Sequence, residues 1–459
     1  MTGQLQISDD DFPVNPQWER ECDGSLNTVT SLSGKFCPGP FSDVQIHAGG
    51  KVTVCCPMGL PRQIGVLEET GLKGLWNSAA AQKIRQSVLD GSYRYCNHRV
   101  CDIIQRESLL DYEQLTSEQQ HIVDRQQVIL DHFPCSVMLA YDASCNLSCP
   151  SCRTGKKCFT EGSPEHAESK RLTGLLKKDL LASDHSRPLA LNITGSGDPF
   201  ASPVFLDLLE NFEWEQCPHI RIDFQTNGTL FTEQIWRRLW RCHRHVRNIA
   251  VSVDAATPDT YAVVRRGGDW GRLMENMKFL AGLRRDNKSL FIRFNMVVQQ
   301  RNFHEMPQFV KEFLGTLCDS VKFFFLNDWG TWASRAEYER QCIWKKTHPE
   351  FQDFLRVLRD PVFNNSMVDM GDVFEYRQIA LDPGWVRRAG GGPGAAFPPQ
   401  AARSRVERYL KTNDPRLFRL SFLLNPVFLF QRAGTLASWR DFRHRFANLI
   451  RLLRLKSRQ

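Results

Sequence analysis

The chain has 459 residues, of which 24% are charged and 42% apolar, the balance of a protein that builds folded cores and not of a disordered or fibrous chain. Its length has room for roughly three domains, and the apolar stretch from Ser421 to Phe430 is broken by Asn425-Pro426 and too short to cross a bilayer. The net charge of +8 gathers toward the C-terminal end, so it belongs to a tail and sets no demand for an acidic partner on the rest of the chain.

The chain opens Met1-Thr2-Gly3-Gln4 and soon reaches Asp9-Asp10-Asp11, without a basic flank or an apolar core. A secretion signal is therefore not expected, and a cytoplasmic location is. Residues 1–125 read as a small Cys-rich α+β domain. Phe41 to His47 reads as a strand, Gly49-Gly50 as a hairpin turn and Lys51 to Cys55 as the returning strand. From Gly71 to Leu89, apolar residues at Leu72, Leu75, Trp76, Ala80, Ile84 and Val88 recur at helical spacing. Asp111 to Ile129 is Gln-rich and reads as a helical connector.

Residues 130–330 alternate short apolar runs with helical patterns. The runs are Ser136–Ala140, Leu189–Ile193, Ile220–Phe224, Ile249–Val253, Phe291–Val297 and Val321–Leu326. Between them lie Leu172–Leu181, Pro203–Phe212, Glu233–Trp240, Leu273–Leu283 and Met306–Leu314. Strand and helix in strict alternation predict a parallel sheet with right-handed crossovers, which curl it toward an open, TIM-like partial (β/α)6 barrel. Residues 331–459 form a C-terminal extension. Gly384 to Gln400 reads as a Gly/Pro linker, and Trp439 to Gln459 as a basic helix.

Fifteen cysteines without a secretion signal argue against a disulfide framework, and most of them fall into two groups. The sharper group is Cys145-Asn146-Leu147-Ser148-Cys149-Pro150-Ser151-Cys152, a C-x3-C-x2-C loop directly after the first barrel strand. Three thiolates on one tight loop can hold three irons of a cubane cluster and leave the fourth open. Structural zinc is the plainer reading of three cysteines, but it calls for a fourth ligand, and Cys158 fits no common ribbon spacing.

This loop resembles the signature of the radical S-adenosylmethionine (SAM) superfamily, and the later strand ends extend the resemblance over the middle of the chain. Thr194-Gly195-Ser196-Gly197-Asp198-Pro199 looks like a variant of the family's Gly-Gly-Glu-Pro motif, with Ser196 and Asp198 in place of glycine and glutamate. The resemblance implies that this turn meets the methionine ammonium of SAM. It further implies that Asn227 in Gln225-Thr226-Asn227-Gly228, Ser252 and Asn295 line the SAM site, with Val297 beside the adenine. Cys145, Cys149 and Cys152 would then carry the [4Fe–4S] cluster that cleaves SAM to a 5′-deoxyadenosyl radical. An external reductant such as flavodoxin or ferredoxin is implied as electron donor.

The second group is Cys37, Cys55, Cys96 and Cys101, with Cys56 as a substitute for Cys55. With Gly50, Ile64 to Leu67 and Leu75-Trp76-Asn77, it resembles the SPASM/twitch module, here placed before the barrel. The resemblance implies an auxiliary [4Fe–4S] cluster on these four cysteines, and zinc on the same four is the rival. SPASM-bearing relatives imply a peptide, a protein side chain or a carbohydrate-like small molecule as substrate.

Other residues are weighed against plain roles. Cys158, Cys318 and Cys342 are candidate hydrogen-atom donors, though a buried structural thiol is the simpler reading. Asp328 and Trp329 are candidate pocket residues, with an ordinary loop the equal alternative, and Arg265-Arg266-Gly267-Gly268 is a candidate to position an anionic group, with a solvated loop as the default reading. The basic C-terminal helix suits a membrane surface, a protein partner or its own domain, and nucleic acid is not expected. Two readings of other classes stand beside the enzyme: a cluster-bearing electron-transfer scaffold that does not turn over SAM, and a zinc-stabilised binding module.

Overall fold

Apolar residues alternate with polar ones along most of the predicted strands, so one sheet face must be buried and the other must not. A computed structural model describes residues 32–382 and 384, apart from 99, 100, 106, 184, 185, 194 and 195. The described strands are β1 (Asp43–His47), β2 (Lys51–Thr53), β3 (Gly65–Val66), β4 (Ser136–Ala140) and β5 (Leu189–Ile193). They continue with β6 (Ile220–Thr226), β7 (Val246–Ser252), β8 (Phe291–Val298), β9 (Ser320–Phe325) and β10 (Val368–Asp369). All ten join one sheet in the order β10-β9-β8-β7-β6-β5-β4-β1-β2-β3.

Strands β4 to β9 are mutually parallel and form the partial (β/α)6 barrel. Their outward residues, among them Val137, Leu191, Ile222, Ile249, Ile292 and Phe323, are fully buried beneath the crossover helices. Each such side chain contributes about 1.5–3 kcal/mol of apolar burial. The inward residues Met138, Asn192, Asp223, Asn248 and Arg293 are only half-buried. The lumen is therefore open and carries polar side chains among apolar ones, unlike the packed interior of a complete barrel.

Helices Pro164–Leu181, Pro203–Asn211, Glu233–Arg238, Trp270–Asp286 and Met306–Phe313 return the chain between strands. The first four begin with a capping side chain: Ser163, Ser202, Thr232 and Asp269 each accept from a backbone N–H in the first turn.

The N-terminal hairpin forms as its sequence predicts, with β1 antiparallel to β2 and Gly49 and Gly50 at φ 72° and 73°. Its strand β1 also pairs parallel with β4, from Asp43 opposite Ser136 to His47 opposite Ala140. The Cys-rich unit thus continues the barrel sheet. The helical stretch 71–89 is two helices, Gly71–Trp76 and Ala79–Leu89, because the Asn77 side chain turns away to bond both backbone groups of Leu130. The connector is shorter than its composition suggests: Ser117–Asp124 alone is α-helical, since Gln119 is spent in a capping box with Thr116.

Past residue 330 the chain adds helices Arg335–Gln341, Phe351–Val357 and Phe374–Leu381, and β10 pairs parallel with β9. The linker expected after Gly384, the basic helix at Trp439–Gln459, and Gly195 lie outside the described residues. Among the described residues, no helix is long and apolar enough to cross a membrane.

Candidate active site

The loop carrying Cys145, Cys149 and Cys152 leaves the C-terminal end of β4, the end at which barrel strands present their reactive groups. Its stem is closed by backbone pairing between Cys145 and Lys157. Asp142 shapes the entry by accepting from Ser144 N–H at 2.8 Å and Ser202 Oγ at 2.7 Å. Cys152 N–H and Arg153 N–H both bond the Cys149 carbonyl, which curls the second half into one tight turn. Cys145 and Cys149 are buried and Cys152 is exposed.

Each of the three thiols meets one side-chain N–H donor. Asn227 Nδ2 lies 3.8 Å from Cys145 Sγ, Arg265 Nη1 lies 3.6 Å from Cys149 Sγ, and Arg153 Nη2 lies 3.5 Å from Cys152 Sγ. Burial raises the Cys145 thiol above its ordinary value, against a bond from Leu147 N–H and the nearby Arg153 charge. Two guanidinium groups and an amide make this loop a place where thiolate charge is tolerated.

The turn after β5 packs directly under the loop. A Cβ on Gly197 would fall 2.5 Å from the Ser144 carbonyl oxygen and 2.7 Å from that of Asp142, so only glycine lets the two backbones meet. Ser196 Oγ bonds the carbonyls of Ala140 and Asp142, and the Ser196 carbonyl accepts from Arg153 Nη2 at 2.7 Å. Asp198 is buried, and its carboxylate accepts from Thr226 Oγ1, Asn227 N–H and Phe200 N–H at 2.8, 2.7 and 3.1 Å. Burial nevertheless raises its pKa above the ordinary aspartate value. These contacts make Asp198 the tie between the β5 turn and the end of β6.

Asn227 is spent on the loop as well: its side chain also donates to Asn146 and accepts twice from Thr229. Ser252 stands opposite Asn295 in the β7–β8 register at the same mouth. Asn295 is buried and accepts from Arg293 Nε at 3.0 Å. Val297 N–H donates to Asp254 Oδ1 at 2.8 Å, and Asp254 Oδ2 lies 3.0 Å from Arg265 Nε. Asp254 holds φ at 64°, a conformation that an aspartate tolerates better than most side chains.

Arg265 is therefore not the solvated side chain of the default reading, whereas Arg266 stays exposed. Arg265 is half-buried between Asp254 and Cys149, and Arg266 clasps the cysteine loop through Ser148 Oγ, Thr154 O and its own carbonyl. Arg153 is the residue beside the loop that sequence reasoning missed, while Asp254 stood only as part of a strand end and Arg265 only as a candidate anion-positioning residue. The only signal was the basic residue directly after the last loop cysteine and the Arg-Arg-Gly-Gly run. Thr331 Oγ1, in the loop after β9, also reaches the Pro150 carbonyl at 2.7 Å.

The candidate hydrogen-atom donors are placed differently. Cys318 and Cys342 are buried and bond the carbonyls of Phe313 and Tyr338, whereas Cys158 is exposed. Trp329 is half-exposed, and Asp328 is engaged by Gly330 N–H and Arg335.

The second cysteine group gathers at the opposite end of the sheet. Cys37 precedes β1 and Cys55 follows β2, which runs back toward the N-terminal ends of the barrel strands. A Cβ on Gly39 would lie 3.8 Å from Cys37 Sγ and 3.9 Å from Cys55 Sγ, and one on Gly59 would lie 3.6 Å from Cys101 Sγ. Burial pushes the Cys37 thiol up to about 12, with the neighbouring Cys101 adding to it. Cys55 and Cys96 are raised well above the ordinary value, again by burial first and then by the other cysteines of the group. Cys96 is buried and Cys37, Cys55 and Cys101 are half-buried, and thiols close enough to raise one another's pKa are a donor set that fits a multivalent metal group. Among the described residues, no three His, Cys, Asp or Glu side chains converge on one ion position. A cubane spreads its thiolates farther apart than the ligands of a single ion, so the two observations are compatible.

A cavity of about 320 Å³ runs along the lumen from this end, lined by Met138, Asn192, Asp223, Gln225, Asn248 and Arg293. Phe41, Asp43 and Cys135 line its N-terminal side. Burial pushes the Asp223 carboxyl up to about 6, against bonds from Asn248, and the Asp43 carboxyl up to about 7.

The radical SAM superfamily profile matches residues 143–313, and the profile of SPASM, an iron–sulfur cluster-binding domain, matches residues 37–102. No curated protein matches the sequence. Among solved structures, Streptococcus suis SuiB bound to S-adenosylmethionine aligns at 16% identity and a TM-score of 0.34, covering 46% of this chain and 45% of that one. Native anSMEcpe with bound AdoMet aligns at 20% identity and a TM-score of 0.32, covering 42% of this chain and 52% of that one. The chain thus spans about half the length of these structures. This chain therefore carries a radical SAM superfamily domain, with a SPASM domain placed N-terminal to it.

Proposed function

We propose that this chain is a radical SAM enzyme in which Cys145, Cys149 and Cys152 hold the SAM-binding [4Fe–4S] cluster. Cys37, Cys55, Cys96 and Cys101 hold the auxiliary cluster, and the substrate, a peptide or protein side chain or a carbohydrate-like metabolite, enters the lumen between them. The radical SAM and SPASM domains imply these cofactors: a SAM-binding four-iron cluster, SAM itself and an auxiliary iron–sulfur cluster. The observation that carries the reading is the set of three cysteines on one loop at the barrel mouth, each facing its own N–H donor.

When bound, the clusters and SAM supply one-electron cleavage of a sulfonium, and with it a 5′-deoxyadenosyl radical that takes hydrogen from the substrate. The chain's own residues bind and orient. Ser196 and Gly197 bring the β5 turn close enough for backbone groups to face the methionine end of SAM, with Asp198 fixing that turn. Ser252 and Asn295 offer polar groups at the mouth, and Val297 borders the adenine. Asn192, Asp223, Asn248 and Arg293 give the lumen a polar wall for a hydrogen-bonding substrate. A one-electron reductant such as flavodoxin or ferredoxin completes the cycle.

One observation favours the scaffold reading. The Ser196 carbonyl is already taken by Arg153, and the Asp198 carboxylate by three protein donors. SAM titration of the anaerobically reconstituted protein separates the readings. An enzyme binds SAM and changes the electron paramagnetic resonance (EPR) signal of its reduced cluster, whereas a scaffold leaves that signal unchanged. Deuterated candidate peptides and sugars then identify the substrate class by mass shift in the 5′-deoxyadenosine released.

A further inference from the structure

The cysteine loop is electrically asymmetric. Asn227 faces Cys145 with a neutral amide, whereas Arg265 and Arg153 face Cys149 and Cys152 with full positive charges. Neither arginine is a loose surface side chain. Arg265 is held by the Asp254 carboxylate at 3.0 Å, with side-chain exposures of 12% and 3%. Arg153 is buried and fixed by the Ala143 and Ser196 carbonyls at 2.9 and 2.7 Å. The cost of burying two guanidinium groups is met at Arg265 by one carboxylate, and at Arg153 by carbonyl dipoles alone. Anionic sulfur is the partner that completes both arrangements.

Resting on the cluster assignment above, we propose that Arg153 and Arg265 are positioning residues that set the reduction potential of the cluster on Cys145, Cys149 and Cys152. A charged N–H···S bond stabilises a thiolate ligand, and more so once the cluster has gained an electron, so each bond raises the potential. Their anchors extend the effect. Arg153 also holds the turn that faces the methionine end of SAM, and Arg265 is held by the carboxylate that binds Val297 N–H. The two arginines thereby join cluster electronics to the two ends of the SAM site. Arg266, which bonds loop oxygens and not sulfur, plays no part in this.

The test uses the full chain, reconstituted anaerobically with iron and sulfide. Iron per chain is measured first, followed by a potentiometric titration of the EPR signal that responds to SAM. Arg265→Met and Arg153→Met are expected to hold wild-type iron with a more negative midpoint, and the double variant to move it further. Arg265→Gln and Arg153→Gln keep a neutral N–H donor and should recover part of the shift. Arg171→Met, in a surface pair with Glu168, should leave the midpoint in place. Methionine variants with full iron and a wild-type midpoint would overturn the proposal. If they take up no iron, the glutamine variants decide by the same criterion. A wild-type chain that assembles no SAM-responsive cluster would instead sink the functional reading on which this rests.

Discussion

Asn227 donates its backbone N–H to the Asp198 carboxylate at 2.7 Å, binding the end of β6 to the turn after β5. The same Asn227 reaches Cys145 with its side chain, so one short path runs from the turn to the cysteine loop. Asp198→Asn replaces one acceptor oxygen with a donor that faces existing donors. Leaving buried groups unpaired costs about 1–3 kcal/mol. The variant should melt earlier and bind SAM more weakly, read by thermal denaturation and SAM titration. Unchanged melting would show that the carboxylate is not the tie described.

Gly197→Ala tests the contact between turn and loop. Its Cβ meets backbone oxygens, which cannot swing aside as a long side chain can. Overpacking of this kind costs about 1–3 kcal/mol. The loop should be displaced, with iron uptake falling at Cys145, Cys149 and Cys152 more than overall stability does. Gly155→Ala, which meets nothing within 4 Å, is the control that should load normally.

Asp43 gives a pH prediction. Burial raises its carboxyl to about 7, so the folded chain holds this proton more tightly than the unfolded chain, whose aspartate titrates near the ordinary value. The stability that this provides is complete below the unfolded value and is lost as pH rises through the folded one. Asp43→Asn mimics the protonated form and keeps an oxygen for Ser42 and Ser136. The melting temperature of the variant should therefore exceed that of the wild type by a margin that grows from about pH 4 to about pH 8. A margin independent of pH would contradict the assignment.

The six barrel strands were legible because each is a short run rich in β-branched and aromatic residues with turn residues at its ends. The (β/α)6 order followed from their alternation with helical stretches. Strand β10 was not legible, since Val368-Asp369 is too short to carry a period. The parallel pairing of β1 with β4 was hidden too, because no local pattern records which distant strand a hairpin edge will meet. Within the site, the three loop cysteines announced themselves by spacing. Arg265 was legible only as a candidate for an anionic group: its contacts with the Asp254 carboxylate and Cys149 depend on how the chain after β7 folds back onto the cysteine loop. Asn227 and Asp198 were recognisable as polar strand-end residues, but their bonding to each other and to the loop required the fold.

The most direct test of the enzyme reading is release of 5′-deoxyadenosine after anaerobic reconstitution, reduction with dithionite and addition of SAM. The wild type should release it, as should Cys37→Ala/Cys55→Ala/Cys96→Ala/Cys101→Ala with a reduced iron content. Cys145→Ala/Cys149→Ala/Cys152→Ala should release none. A wild-type protein fully loaded with iron that leaves SAM intact would contradict the account and favour an electron-transfer scaffold.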